Sequence, residues 1–209
     1  SELGMSNYHA SEMKRAFELC KEHGLTPPSV YQGLYNPLNR MVEEELLPIL
    51  KENNCSFVAY NPLAAGLLTG KHKNISDVMK GRFQNNDNYL PRFYTESNFK
   101  AITLVQAACD EEDITMLEAT FRWLLKHSAL SEKDGILLGA SSLTQLDENL
   151  GACSAALEKG PLPDSILKAF DEAWEITRQS SFPYWRSYSS DMPNGANLDQ
   201  GASYSAAKK

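Results

Sequence analysis

The chain has 209 residues, 42% of them apolar and 22% charged, with a formal net charge of −7. That length suits about one domain with a substantial core, and an acidic balance without a long basic run argues against nucleic acid as a partner. The longest apolar runs fall well short of the roughly 20 residues that span a bilayer, and no signal-peptide pattern opens the chain, so the expectation is a cytoplasmic protein with no membrane partner.

In chain order, Leu3 to Asn7 predicts a short strand, and Met13, Ala16, Phe17 and Cys20 then fall at helical spacing, with Gly24 where a helix places its terminal glycine. Pro27-Pro28 opens a second unit with a strand at Ser29 to Gln32, a polar turn through Asn36-Pro37, and a helix over Val42 to Asn53 that Pro48 should kink. The third strand is Cys55 to Tyr60. Strand starts near residues 2, 29 and 56 recur at about 27 residues, the size of a βα unit. The cysteines Cys20, Cys55, Cys109 and Cys153 fit neither a zinc site nor a redox pair and are expected to be small core residues. The histidines His9, His23, His72 and His127 are scattered and read as helix-end or loop residues.

After the third strand, Asn61-Pro62 stops the apolar run, Gly66 and Gly70 permit close backbone approach, and Lys71 adds a positive charge. A glycine-rich loop ending in lysine suits an anion, although the spacing is not that of a P-loop. Lys71 to Asn98 is a long polar stretch carrying Arg82, Tyr89 and Arg92; it reads equally as a functional loop and as solvated surface. Two helices follow, one with Phe99, Ile102, Val105 and Cys109 on a face, the next opened by a Thr115/Glu118 capping box and carrying Leu117, Phe121, Leu124, Leu125 and Ser128. A fourth strand, Gly135 to Gly139, leads through Ser141-Ser142 to a helix capped by Thr144, with Leu146, Leu150, Cys153 and Leu157 on its buried face. A strand feeding a helix N-terminus rich in hydroxyls is either an anion site or an ordinary cap. The last helix runs from Pro163 to about Gln179, an aromatic cluster covers 182–186, and 187–209 reads as a disordered tail.

Four successive βα units predict an α/β fold with a parallel sheet under helices. An eight-stranded barrel needs about 250 residues, so only four barrel strands fit, and if they are the last four, the two candidate anion loops fall where barrels commonly hold phosphate.

The series Gly4-Met5-Ser6-Asn7-Tyr8, Val30-Tyr31-Gln32-Gly33, Ala59 to Leu63 with Gly66 to Lys71, and Ser141-Ser142-Leu143-x-Gln145-Leu146-x-Glu148-Asn149 resembles the C-terminal half of an aldo-keto reductase, most of all the aflatoxin aldehyde reductase branch. The likeness runs from Glu2 to about Arg186. It implies a TIM-barrel type fold with only the last four βα units present, extra helices, and residues 1–186 as one half barrel. It also implies NADPH. Ser6, Asn7 and Gln32 would hold the nicotinamide carboxamide and Tyr60 would stack on the ring. Asn61, Pro62, Leu63, Gly66, Leu67, Gly70 and Lys71 would wrap the pyrophosphate with help from Arg82. Ser141, Ser142, Gln145, Glu148 and Asn149 would hold the adenosine end, Gln145 standing where many branches carry arginine, which weakens the expected discrimination against NADH. Tyr89, Arg92 and Arg186 match substrate-contacting positions suited to an acidic aldehyde.

In the family, reduction of an aldehyde or ketone uses an Asp, Tyr, Lys and His carried on earlier strands, which these 209 residues do not contain. Tyr8, Tyr31, Tyr35, Lys71 and His72 already have cofactor or packing roles, so no catalytic residue is assigned. The expectation is the cofactor half of an NADPH-dependent carbonyl reductase, inactive alone and read as truncated. The alternative is a non-catalytic NADP(H)-binding or self-associating half-barrel module, a possible homodimer.

Overall fold

Alternation of side chains at 30–34 and 56–60 sets the sheet. The computed structural model describes residues 2–78, 83–84 and 89–186; Arg82 and the expected tail at 187–209 lie outside the described residues. Strands β1 (Gly4–Ser6), β2 (Val30–Leu34), β3 (Ser56–Tyr60) and β4 (Gly135–Ile136) form a parallel sheet in the order β1-β2-β3-β4. Their register puts Ser6 beside Gln32 and Gln32 beside Val58, so the strand ends form one rim. Tyr31, Gly33, Phe57 and Ala59 are buried, whereas Val30, Gln32, Ser56, Val58 and Tyr60 are not. The run at 57–60 is therefore not buried on both sides: among the described residues, helices cover one face of the sheet only.

The covering layer is α1 (Ala10–His23), α2 (Leu46–Glu52), a short α3 (Leu90–Phe93), α4 (Glu96–Glu111), α5 (Met116–Lys126), α6 (Leu143–Glu158) and α7 (Asp164–Thr177). Among the described residues no helix is long and apolar enough to cross a membrane. Tyr31 stacks on Phe57, Phe57 meets Tyr35 edge-on, and Tyr35 and Phe170 each lie about 6 Å from Trp123. This aromatic chain joins the sheet to α5 and α7. Arg40 lies 4.4 Å above Trp123 and donates to the Phe170 carbonyl and the Asp171 carboxylate, so the charge enters the core fully partnered. All four cysteines are free, with Cys55 and Cys109 buried.

Several local expectations change. The segment 42–53 is not one kinked helix: a 3-10 turn (Met41–Glu43) precedes α2, and Pro48 falls in the first turn of α2, where its missing N–H breaks no bond. The turn at Asn36-Pro37 is polar but buried, with Asn36, Asn39 and Arg40 all under 9% exposed. Helix α1 is capped by His9, whose ring accepts the Ser11 N–H while Glu12 takes the His9 N–H. Thr115 caps α5 through the Glu118 N–H, but the Glu118 side chain turns to Arg122 and Lys159 instead of closing the box.

The cap of α6 is Ser142, not Thr144: Ser142 is the extended residue before the helix, and its Oγ accepts the Gln145 N–H. The strand expected at 135–139 shortens to two residues. The buried face of α6 is Asn149, Ala152 and Ala156, while Leu150 and Leu157 are exposed, as is Leu125 on α5. Small residues let α6 lie close against α5, and Asn149 donates to the Gly139 carbonyl, which fixes the helix's rotation.

A Cβ at Gly33 would sit 2.6 Å from Phe57 Cε2 and 2.9 Å from Tyr31 Cε1, both on fully buried rings. Gly33→Ala is expected to cost about 1–3 kcal/mol by overpacking, read as a lower urea midpoint at unchanged slope. An unchanged midpoint would show that the rings can yield.

Candidate functional site

Parallel strands end on the same rim, so the segments following β1, β3 and β4 are neighbours by construction. Asn7, immediately after β1, has a left-handed backbone (φ 62) and donates from Nδ2 to Ser6 Oγ at 2.8 Å. Tyr60, at the end of β3, donates its hydroxyl to Asn7 Oδ1 at 3.3 Å. Gln32 lies between them in the register and is exposed on the open face of the sheet. Ser6, Asn7, Gln32 and Tyr60 therefore lie together at the strand ends.

Burial pushes the Tyr60 phenol above its ordinary pKa, while the guanidiniums of Arg186 and Arg92 act the other way. Burial lowers the Arg92 pKa, Tyr60 raises it and Arg186 lowers it again. Both guanidiniums are therefore within electrostatic reach of the Tyr60 phenol and of each other. Arg186 is carried there by its own N–H, which donates to the Asn7 carbonyl at 2.9 Å. Arg92 lies 5.3 Å over the Phe182 ring, and Tyr89 stacks on Phe93. Two guanidiniums and two phenols around one strand end suit an anionic group.

The loop after β3 is bent more sharply than its glycines alone require. Asn61 (φ 52), Ala64 (φ 47) and Ala65 (φ 59) join Gly66 (φ 113) and Gly70 (φ 75) in positive φ. Left-handed alanines carry steric cost and collect where surrounding contacts enforce them, often at binding sites. Leu63 is near right-handed helical geometry (φ −97, ψ 23), and the left-handed residues after it give the alternation that makes concave, anion-binding turns of amides. Pro62 and Leu67 are buried, so their side chains anchor the loop, while Thr69 Oγ1 donates to the Gly66 carbonyl at 2.7 Å. Lys71 is exposed at the loop's end, and its Nζ lies 3.3 Å from Glu148 on α6.

That ion pair joins the loop to the second candidate segment. At the start of α6, Gln145 Oε1 accepts both the N–H and the hydroxyl of Ser141. Ser142 caps the Gln145 amide, leaving the Leu143 and Thr144 amides as first-turn donors that the helix cannot pair by itself. Asn149 is almost fully buried beside this start. The loop and the helix N-terminus together offer backbone amides, two serines, one lysine and a helix dipole, a donor set that fits phosphate.

Two residues that position the site were read only as turn. Asn36 Nδ2 donates to the Asn61 carbonyl at 3.0 Å, and Asn39 Nδ2 donates to the Phe182 carbonyl at 2.9 Å. One ties down the loop after β3 and the other the segment carrying Arg186. Their signal in the sequence is a pair of asparagines bracketing Pro37-Leu38 just past a strand end, where a free surface turn needs only one.

A family model described as the aldo/keto reductase family matches residues 1–175. The chain is 44% identical over 197 residues to aflatoxin B1 aldehyde reductase member 2 of Mus musculus, covering 88% of this chain and 53% of that protein. It is 43% identical over 197 residues to aldo-keto reductase family 7 member A3 of Homo sapiens, covering 88% and 58%. Against an aldo-keto reductase of Pseudocercospora fijiensis it is 35% identical over 190 residues, covering 88% and 63%. The chain spans little more than half the length of these relatives.

Asn36→Ala is expected to remove one of the two donors to the Asn61 carbonyl, which keeps the Ala64 N–H, and to leave the Leu38 N–H without its acceptor, at a cost of about 1–3 kcal/mol. Hydrogen exchange should speed up across 61–70 and not in α7; protection unchanged in the loop would remove Asn36 as its tether.

Proposed function

Because the chain belongs to the aldo/keto reductase family, we propose that it holds NADPH along the rim of its sheet and acts as the cofactor-binding part of a cytoplasmic reductase of aldehydes and ketones. The observation that carries this reading is the row of polar groups along the rim: Ser6, Asn7 and Tyr60 hydrogen-bonded to one another, the positive-φ loop after β3, and Lys71 at its end reaching Glu148 on the helix that Ser141-Ser142 opens. An extended ligand with an aromatic end and two phosphate-bearing parts suits that line better than a lone anion.

On this reading the carboxamide is held by Ser6, Asn7 and Gln32, and the Tyr60 ring forms the platform for the nicotinamide, which supplies the hydride when bound. Asn61, Pro62, Leu63, Gly66, Leu67 and Gly70 wrap the pyrophosphate with Lys71, through loop amides other than those of Ala64, Gly66 and Leu68, which donate within the loop, and Arg82 assists. Ser141, Ser142, Gln145, Glu148 and Asn149 take the adenosine end. The buried flank of Tyr60 supports the stacking role, since a desolvated phenol stays neutral and presents its face. Tyr89, Arg92 and Arg186 receive the substrate, and the two guanidiniums favour an aldehyde that also carries a carboxylate. The names of the relatives, aflatoxin B1 aldehyde reductases among them, support an aldehyde as the reacting group.

A general acid for the carbonyl oxygen is not among these assignments. We place it, with its tuning Lys and Asp and the assisting His, on βα units outside these 209 residues, and residues 1–186 are then one half of the barrel. The 209-residue chain alone should bind NADPH and quench or shift its fluorescence, yet give no turnover with a carboxylated semialdehyde. Turnover by the purified chain would overturn the missing-acid assignment, and absence of binding would overturn the cofactor assignment.

Lys71→Met and Ser141→Ala should each weaken NADPH binding about tenfold, as expected for one charge-assisted contact. Gln145→Arg should raise the ratio of NADPH to NADH affinity by about tenfold, because a guanidinium pairs with the 2′-phosphate and gains nothing from a hydroxyl. Equal effects on both cofactors would place Gln145 away from that phosphate.

A further inference from the structure

The loop after β3 and the helix α3 are distant in the chain, yet one side chain touches both. His72 directly follows Lys71, and its Nδ1 lies 2.6 Å from the hydroxyl of Tyr94. Tyr94 closes α3, its N–H donating to the Leu90 carbonyl at 2.9 Å. The imidazole also meets the Phe83 and Tyr94 rings edge-on, at 5.3 and 5.7 Å. Phe83 is buried and packs in turn on Phe93 and Tyr94, while Tyr94 meets Phe99 in α4.

The other ring nitrogen lies against the first glycine of the loop. A Cβ added at Gly66 would find His72 Nε2 at 3.8 Å and no other described atom within 4 Å. The second glycine has a matching support from α4: a Cβ at Gly70 would sit 3.0 Å from Gln106 Oε1, and Gln106 Nε2 donates to Asp110 Oδ1 at 2.7 Å. Burial lowers the His72 pKa, which keeps the ring neutral at pH 7. A neutral imidazole bonded to a phenol among aromatic rings is a directional tie, and the low surrounding dielectric strengthens it.

On one side of this tie are Gly66, Gly70 and Lys71; on the other are Tyr89 and Arg92, at the start of α3 and within it. We propose that His72, held by Tyr94, is a positioning residue that sets the loop after β3 and the α3 segment in one arrangement, so that a ligand ordering the loop also orders α3. This coupling rests on the loop holding the pyrophosphate, as proposed above. His72 then acts through the backbone that it places.

Fluorescence titration of the 209-residue chain with NADPH reads the loop end. His72→Phe and Tyr94→Phe, which keep an aromatic ring, should each weaken binding about tenfold, and the double variant by no more than either alone, because both remove the same bond. His72→Asn, whose amide carbonyl can accept the phenol from near the Nδ1 position, should stay within about threefold of the parent. Hydrogen exchange reads the α3 end. NADPH should slow exchange across 64–70 and 90–94 together in the parent, but only across 64–70 in Tyr94→Phe.

Unchanged NADPH binding in both single variants, additive losses in the double variant, no rescue by asparagine, or equal slowing of 90–94 in Tyr94→Phe would each overturn the inference. A parent chain that binds no NADPH would overturn the pyrophosphate reading and the ligand-linked coupling with it. The tie between loop and helix is then decided on the unliganded chain, where Tyr94→Phe must speed exchange across 64–70.

Discussion

The parallel register of β1, β2 and β3 is the constraint on which everything else depends. With Ser6, Gln32 and Val58 in one row, the segments after each strand emerge on one side and at similar height. A slip of one residue would exchange the two faces of a strand, burying Gln32 and Tyr60 and exposing Tyr31 and Phe57. Gly33 makes the correct register possible by leaving room for the Tyr31 and Phe57 rings, and the aromatic chain through Tyr35 and Trp123 then ties that face to the helices.

Given that row, the rim is held by a small number of polar ties between distant parts of the chain. Asn36 holds the loop after β3, Asn39 holds the carbonyl of Phe182, and the Arg186 amide meets Asn7. Tyr184 contributes in the same way by accepting the Ala10 N–H at the start of α1. The consequence is a site whose flexible-looking segments are fixed from behind by buried side chains. The positive φ angles of Asn7, Asn61, Ala64 and Ala65 are affordable only with that support.

The periphery obeys a different balance. On the helix side of the sheet, burial is complete and charges such as Arg40 and Arg122 enter only with carboxylate or carbonyl partners. On the other side and at both edges, apolar groups meet solvent. Helix α6 shows the conflict most clearly: Asn149, Ala152 and Ala156 face its neighbours while three leucines face outward. An amphipathic pattern with leucine would ordinarily put those leucines inside. Their exposure marks a face of α6 that no described element covers.

By itself the sequence determined the parallel α/β class, the four βα units and most helix spans, because strand period, helix spacing and Gly/Pro punctuation are local physics written in neighbouring residues, whereas the grouping of Ser6, Asn7, Gln32 and Tyr60 came from the family resemblance. It also marked Tyr60, the loop to Lys71 and Ser141-Ser142, since ordered motifs carry their own spacing. What only the tertiary structure decided depends on groups far apart in the chain. The rotation of α6 is set by Asn149 reaching the Gly139 carbonyl and by small residues against α5, so Ser142 became the cap and the leucines turned outward. Pro48 lost its kink because α2 begins only two residues earlier, and the turn at Asn36 became buried because Asn61 and Phe182 fold onto it. Composition could not show that one sheet face stays open either, because burial belongs to whatever packs on a residue and not to the residue itself.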